Sequence, residues 1–229
     1  EICLCLPESS VEIFPVPLPF AVVWEDEDLL AVHKPSFMPV YPTPGHDRDS
    51  LANAVAFHYQ QQGETAGFHP LYRLDRNTSG LLVVGKHAYA ASRLAFSIEK
   101  EYTALCEGVL TGEGTIRAPI RRKEGSRILR EVGDGPTSQQ AVTHWQAFPV
   151  CSAFTLLKIR LETGRTHQIR VHFSHMGHPL LGDDLYGGSR ERIGRHALHC
   201  SRVRFIHPVT SHPMQWESPL PEDMQAVLE

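Results

Sequence analysis

The chain consists mainly of short strand-like segments, with few helical segments between them. Strand patterns are predicted at 21–24, 29–33, 81–85, 100–106, 154–161 and 196–206, and helical spacing or capping residues predict helices after residue 49 or 50 and at 88–96, 166–176 and 221 onward. These elements do not alternate as regular β-α-β units. We therefore predict an α+β fold, with a mixed, largely antiparallel sheet flanked by helices.

The composition is that of a globular protein of one large domain. The chain has 229 residues, of which 41% are apolar, and this is enough to bury a sizeable core. No apolar run approaches the roughly 20 residues that a membrane span requires. The five cysteines are odd in number and contain no Cys-x-x-Cys pair, which argues against a disulfide framework or a zinc knuckle and favours a reducing cytoplasm.

The positive charges are concentrated in one segment although the formal net charge is −4. Residues 111–140 are rich in glycine and charge, which predicts hairpins and a mobile insertion. Within residues 117–130, Glu124 is the one acidic residue among six basic ones, which are Arg117, Arg121, Arg122, Lys123, Arg127 and Arg130. The cluster could contact phosphates or could be a solvated loop without a partner, and both interpretations stay open.

A polar turn precedes the apolar run at 81–84 and contains the carboxylate of Asp75. Arg73 and Arg76 flank this residue, two hydroxyls follow at 78 and 79, and Gly80 allows close backbone approach. An isolated Arg-Leu-Asp triplet would usually indicate a weak surface ion pair. A carboxylate in a turn just before a buried strand is also where a catalytic residue would lie.

Four segments together resemble the motifs of the RluA-type family of RNA pseudouridine synthases. In chain order they are VWEDEDLLAVHKP at 23–35, PLYRLDRNTSGLLVV at 70–84, KEYTA at 100–104, and LETGRTHQIRVH at 161–172 with its continuation HPLLGDDLYGG at 178–188. Two positions depart from the family pattern: Tyr72 replaces a histidine, and Ser36-Phe37-Met38 stands where a small residue and glycine are usual.

This resemblance implies a pseudouridine synthase fold and a role for several residues. Asp75 is at the position of the catalytic aspartate, Arg165 is expected to pair with it, and Tyr102 is expected to stack on a flipped uracil or donate its hydroxyl. A buried aspartate needs such a cation, since desolvation raises its pKa. The expected substrate-binding residues are Arg73, Ile169, Arg76 and Thr78. Residues 16–229 are then the catalytic domain, and residues 1–15 are expected to be the remnant of an N-terminal S4-like domain.

The implied reaction isomerises uridine in ribosomal or transfer RNA and needs no redox or energy cofactor. A cytoplasmic monomer with RNA as its partner, and no membrane association, is expected. No metal site is predicted, because four nearby histidines have poor ligand spacing and Asp183 and Asp184 suit a turn better than a magnesium site; the histidines are His167, His172, His175 and His178.

Two alternatives from other classes remain open on the sequence. An RNA-binding module could keep this fold without turnover, although the joint presence of Asp75, Tyr102 and Arg165 argues against it. A glycosidase would need a second acid as partner, and neither long motif supplies an obvious one. The sequence does not decide whether Asp75 attacks the base, attacks the sugar or removes a proton from the sugar.

Overall fold

The computed structural model describes residues 13–94 and 97–229. The expected S4-like remnant at residues 1–15 therefore falls almost entirely outside the described residues. The strands are β1 Ala21–Glu25, β2 Leu29–Lys34, β3 His69–Pro70, β4 Ser79–Gly85, β5 Glu99–Glu107, β6 Gly112–Arg117, β7 Ile120–Arg122, β8 Arg130–Val132, β9 Val142–Pro149, β10 Phe154–Leu161, β11 Leu198–Ile206 and β12 Pro213–Glu217. The helices are α1 Leu51–Gln62, α2 Ala88–Leu94, α3 Gln168–His175 and α4 Glu222–Leu228, with a 3-10 turn at Asp184–Tyr186.

Within the described ranges, one large sheet of ten strands carries the fold. Its main path is β1-β2-β4-β11-β5-β10-β9-β6, with β12 beside β11 and β3 beside β4. All of these pairs are antiparallel except β4 with β11, which is parallel. The strands β7 and β8 form a separate hairpin. The predicted α+β class with a mixed, largely antiparallel sheet is confirmed.

Local sequence chemistry explains where α1 begins. Ser50 is the N-cap, and its hydroxyl accepts from the Asn53 N–H while the Asn53 side chain accepts from the Ser50 N–H. The N–H groups of the first two helical residues, Leu51 and Ala52, donate to the carbonyls of Pro39 and Val40. The proline-rich loop before the helix is thereby fixed against its first turn. This loop also passes close to Asp75, as described below.

Two predicted features differ from the structure. The glycine-rich segment at 111–140 is not entirely an insertion, because β6 within it pairs with β9 and extends the main sheet. The predicted alternation along β11 fails at its start, where Leu198, His199, Cys200 and Ser201 are all buried. A bulge between Cys200 and Arg202 shifts the register against β5, and β4 covers the other edge of β11. The predicted end of the second helix, at residue 96, lies outside the described part of the chain.

None of the helices in the described ranges is long and apolar enough to cross a membrane. The main hydrophobic core surrounds the centre of the sheet, where every residue of β4 is buried. The polar turn with Asp75 enters the sheet at the start of this buried strand. The rigid centre of the fold therefore positions the turn.

Gly80 permits the one parallel contact in the large sheet. Its φ is +114°, and a Cβ at this position would lie 2.3 Å from the Cys200 carbonyl oxygen and 2.6 Å from the Cys200 nitrogen. Both atoms belong to the backbone of β11, so no side chain can rotate away to make room. Any other residue would have to separate β4 from β11.

We expect Gly80→Ala to lower the free energy of unfolding by about 3 kcal/mol, because overpacking and an unfavourable φ act together. Chemical denaturation monitored by circular dichroism measures this value. Gly194→Ala is the matched control, since no neighbouring atom lies within 4 Å of its added Cβ. Equal stability of the two variants would contradict the role given to Gly80.

Candidate active site

Asp75 lies in the turn between β3 and β4, with its side chain 27% exposed. Its backbone carbonyl accepts from the Thr78 N–H at 3.0 Å, which closes the turn. Its Oδ2 atom accepts from Arg170 Nη1 at 3.0 Å and lies 3.9 Å from His167 Nε2. The carboxylate thus has Arg170 and His167 on one side and remains accessible on another.

Arg170 is shared between two carboxylates. Its Nε and Nη2 atoms donate to Asp183 at 2.7 and 2.8 Å, in a two-pronged contact, while Nη1 serves Asp75. The side chains of Arg170 and Asp183 are only 7% and 1% exposed. The Tyr186 ring covers the guanidinium at 5.0 Å. Asp183 therefore fixes the orientation in which Arg170 meets Asp75.

The electrostatics of the site keep Asp75 ionised. Burial raises the pKa of Asp75, but His167, Arg170 and His196 lower it by more, so the pKa lies below its ordinary value. Burial also lowers the pKa of His167, and lowers that of His196 to about 3. Both histidines are therefore neutral near pH 7. The permanent positive charge beside Asp75 is that of Arg170.

The expected pairing of Arg165 with Asp75 is wrong. Among the ion pairs of the described residues, those of Asp75 are with Arg170 and His167. Arg165 precedes α3, where its Nε donates to the Gln140 carbonyl at 3.0 Å. The motif contains both arginines, and sequence alone does not tell which of them faces the turn. The helix begins at residue 168 and so directs Arg170 to the carboxylate.

Tyr102 belongs to β5 and is 5% exposed. It pairs with Cys200 in β11 and with Ile159 in β10, at the centre of the sheet. Burial raises the pKa of the Tyr102 hydroxyl well above its ordinary value, and the charges of Cys200 and Asp75 raise it further. The hydroxyl is therefore neutral and able to donate. The prediction that it takes part in catalysis stays a prediction.

The structure separates the four expected substrate-binding residues into two groups. Arg73 and Arg76 are exposed on either side of Asp75. Ile169 is 4% exposed and belongs to the main core, beside Arg170 in the chain. Thr78 is 2% exposed, and its hydroxyl is bonded to His196 Nε2 at 2.8 Å. The Thr78 hydroxyl thus helps to order the turn, and the expected substrate contact of Thr78 stays a prediction.

His167 and Tyr186 were not among the expected site residues. His167 has φ +58°, and its Nδ1 lies 2.8 Å from the Tyr186 hydroxyl, which also accepts from the Arg130 N–H at 3.0 Å. This chain of contacts connects the β7–β8 hairpin to Asp75. Both residues fall inside the two motif segments, but no spacing rule connects them to Asp75, because seven strands and a helix lie between the turn and His167.

Two buried basic side chains donate hydrogen bonds to the backbone of the turn. Lys34 Nζ donates to the Arg76 carbonyl at 3.1 Å, and Arg195 Nη1 donates to the Asn77 carbonyl at 3.1 Å. Both side chains are 1% exposed. Arg195 is held in turn by a two-pronged contact with Asp223 of α4, at 2.6 and 2.9 Å. The two residues that follow Asp75 thus have their carbonyls fixed by buried basic side chains.

A basic groove lies between the β7–β8 hairpin and the segment before α3. Its volume is about 650 Å³. The positively charged residues that line it are Arg121, Arg122, Lys123, Arg127, Arg130 and Arg165. Of the six clustered bases, Arg117 is not part of this lining and lies 3.7 Å from Glu162. Arg165 therefore contributes its charge to the groove.

One group of described residues has the composition of a metal site, away from Asp75 near the β1–β2 turn. Ligand atoms of Asp26, Asp28 and His207 lie within 4.8 Å of one another. His207 Nδ1 accepts from the N–H groups of Val209 and Thr210, so its proton is on Nε2, which faces Asp26 at 3.0 Å. An N–H on Nε2 that faces the Asp26 carboxylate fits an electrostatic contact between the two side chains better than a cation site.

The fold and site combine an α+β sheet, an ionised aspartate and a separate basic groove that is linked to it through Tyr186 and His167. Comparisons with known proteins define the class of enzyme. The family described as RNA pseudouridylate synthase matches residues 28–175. The uncharacterized RNA pseudouridine synthase YjbO of Bacillus subtilis (strain 168) is 42% identical, over 97% of this chain and 81% of that protein. The ribosomal large subunit pseudouridine synthase D of Haemophilus influenzae is 36% identical, over 92% and 70%.

The solved structure of Human RNA Pseudouridylate Synthase Domain Containing 1 has the same fold. It superposes with a TM-score of 0.70 at 24% identity, over 93% of this chain and 86% of that one. The chain belongs to the RNA pseudouridylate synthase family, in its RluA-type group, and is an RNA pseudouridine synthase.

We expect Arg170→Lys to raise the pKa of Asp75, because a point charge cannot bridge both carboxylates and burial then acts with less opposition. Activity is lost as pH falls through this pKa, so the acidic limb of kcat/KM should move upward by about one pH unit. Tritium release from C5-labelled uridine in RNA, followed across pH, measures the limb.

The same exchange at the other arginine, Arg165→Lys, is the matched control. It should leave the acidic limb unchanged, since Arg165 bonds to Gln140 and lines the groove. A limb that moves equally in both variants would return Arg165 to the role that the sequence suggested.

Proposed function

We propose that this synthase isomerises uridines in ribosomal or transfer RNA, with ribosomal RNA favoured, and that Asp75 is its catalytic carboxylate. Relatives named ribosomal large subunit pseudouridine synthase D, at 35–39% identity, support the ribosomal choice. The observation that carries the proposal is the geometry of Asp75. It is ionised, 27% exposed and held by Arg170, so it can meet a base from outside while its charge is stabilised from inside.

The isomerisation of uridine requires one ionised carboxylate and a pocket that retains the detached base. The bond from uracil N1 to ribose C1′ breaks, the uracil turns, and a bond forms from C5 to C1′. The C5 proton is then released and N1 gains a proton, so no oxidant or reductant is consumed. In the proposed role Asp75 acts on the base or the sugar, and Arg170 keeps it ionised until it reacts and stabilises it again when it is released.

The wall of the pocket is proposed to be Tyr102 and Ile169. Both are buried close to the carboxylate: the charge of Asp75 acts on the Tyr102 hydroxyl, and Ile169 precedes Arg170 on α3. An aromatic face and an aliphatic side chain suit the two faces of a uracil that has left its stack. The neutral Tyr102 hydroxyl can also donate to a uracil carbonyl.

The basic groove is proposed to bind the RNA backbone. The contact of Arg130 with Tyr186, and of Tyr186 with His167, links its hairpin to the site of Asp75. Phosphate neutralisation dominates affinity for RNA, and a local cluster of bases supplies it even in a chain of net negative charge. Arg165 belongs to this function in our proposal, with Arg73 and Arg76 at the rim of the catalytic turn.

The proposed setting is the cytoplasm, with the protein acting as a monomer. Ribosomal and transfer RNA are made and modified in a reducing compartment. The described cysteines, Cys106, Cys151 and Cys200, are free thiols, and this is compatible with that setting. Size-exclusion chromatography with light scattering would test the monomer.

We expect Asp75→Asn to abolish tritium release from C5-labelled uridine while RNA affinity stays within about threefold of the parent, because the amide keeps the volume but not the charge. Ribosomal and transfer RNA, assayed separately, identify the preferred class. An inactive parent that still binds RNA would favour the binding module without turnover. Full activity of Asp75→Asn would overturn the assignment of the carboxylate.

We expect Lys123→Ala and Arg127→Ala each to weaken RNA binding and to reduce the slope of log K against log salt by about one, since each removes one phosphate contact. Both side chains are exposed, so stability should not change. Arg93→Ala on α2 is the control for an exposed arginine outside the groove. The groove assignment fails when all three variants bind RNA alike.

A further inference from the structure

The loop at residues 35–41 presents two aromatic rings beside the catalytic turn. Phe37 is 53% exposed and Tyr41 is 39% exposed. Arg76 Nε donates to the Phe37 carbonyl at 3.3 Å, and the charge of Arg73 acts on the Tyr41 hydroxyl. Each arginine that flanks Asp75 is thus accompanied by an exposed ring.

Phe37 holds its position at a cost to the backbone. Its φ is +64°, in the left-handed region that disfavours residues with a Cβ. Lys34 Nζ closes the loop around it by donating to the carbonyls of Pro35 and Met38, each at 2.8 Å. Met38 and Val40 are buried, whereas Phe37 projects outward.

Packing within the fold does not explain the position of the Phe37 ring. Among the described rings, Tyr41 has an edge-on partner in Phe68 at 5.3 Å, and its hydroxyl donates to the Phe68 carbonyl at 3.3 Å. Phe37 takes part in no ring pair or cation contact among the described residues. Glycine would suit the backbone better and would leave the core unchanged. A strained, exposed aromatic residue beside a catalytic turn points to a binding role.

We propose that Phe37, with the guanidinium of Arg76 beside it, is the stacking platform for an unpaired base next to the target uridine; this inference rests on the proposed function. A uridine that leaves its stack exposes the faces of its neighbours. Aromatic rings and arginine planes are the groups on which proteins stack unpaired RNA bases. Phe37 is therefore a specificity-determining residue of the substrate site, and Tyr41 supports the loop that carries it.

Two substitutions remove the Phe37 ring and differ in their effect on backbone strain at this position. Phe37→Gly removes ring and strain together, while Phe37→Asn removes the ring but keeps a residue that tolerates a positive φ. Both should raise the Kd for an unmodified ribosomal RNA transcript, and the KM in the tritium assay, by about tenfold. The thermal midpoint of Phe37→Gly should equal or exceed that of the parent, and kcat should change little.

Phe37→Trp keeps a flat ring at this position, so its affinity for the RNA transcript should equal that of the parent. The matched control is Tyr89→Ala, which removes a ring that is 56% exposed on α2, at the other end of β4. Unchanged Kd and KM in Phe37→Gly and Phe37→Asn would overturn the proposal, as would an equal loss in Tyr89→Ala. An inactive parent would count against the proposed function alone, since the Kd comparison judges the stacking role without turnover.

Discussion

The shared guanidinium of Arg170 is the interaction on which the active site depends. One buried cation serves Asp75 on one side and Asp183 on the other, so the three charges carry a net charge of −1. Without it, Asp75 would lose the permanent cation that helps to hold its pKa below the ordinary value. Asp183 takes two of the donors and leaves one for Asp75. Asp75, which we propose as the catalytic carboxylate, is therefore the more weakly held of the two, and also the more exposed.

Hydrogen bonds from buried basic side chains, as well as packing, fix the orientation of the turn that contains Asp75. A turn exposes carbonyls that no strand partner can satisfy, and here Lys34 and Arg195 satisfy two consecutive ones. Burial lowers the pKa of Lys34 to about 7, while the charge of Asp75 raises it. Charged donors inside a protein form strong hydrogen bonds, but they must be paired. Asp223 pairs Arg195, and in this way the C-terminal helix α4 is connected to the turn.

The sequence predicted the fold class, the positions of six of the twelve described strands and the turn that contains Asp75, because these depend on local periodicity and on turn chemistry. It did not distinguish Arg165 from Arg170, because both lie in one motif and their directions depend on the residue at which α3 begins. It also missed the roles of His167 and Tyr186, which only tertiary contacts bring to the site. Thr78 had a hydroxyl in a suitable position, but its burial against His196 could not be predicted without the packing of β11.

The position of β11 in the sheet has a consequence for the way the protein is made. This strand lies between β4 and β5, yet it is among the last elements in the chain. During synthesis, the earlier strands emerge as two groups whose central edges have no partner. The sheet can close, and the Arg195 contact with the turn can form, only after residue 198 leaves the ribosome. The turn that contains Asp75 thus gains its Arg195 contact only after β1 to β10 have been synthesised, and a chain that ends before β11 exposes two edges that are prone to aggregation.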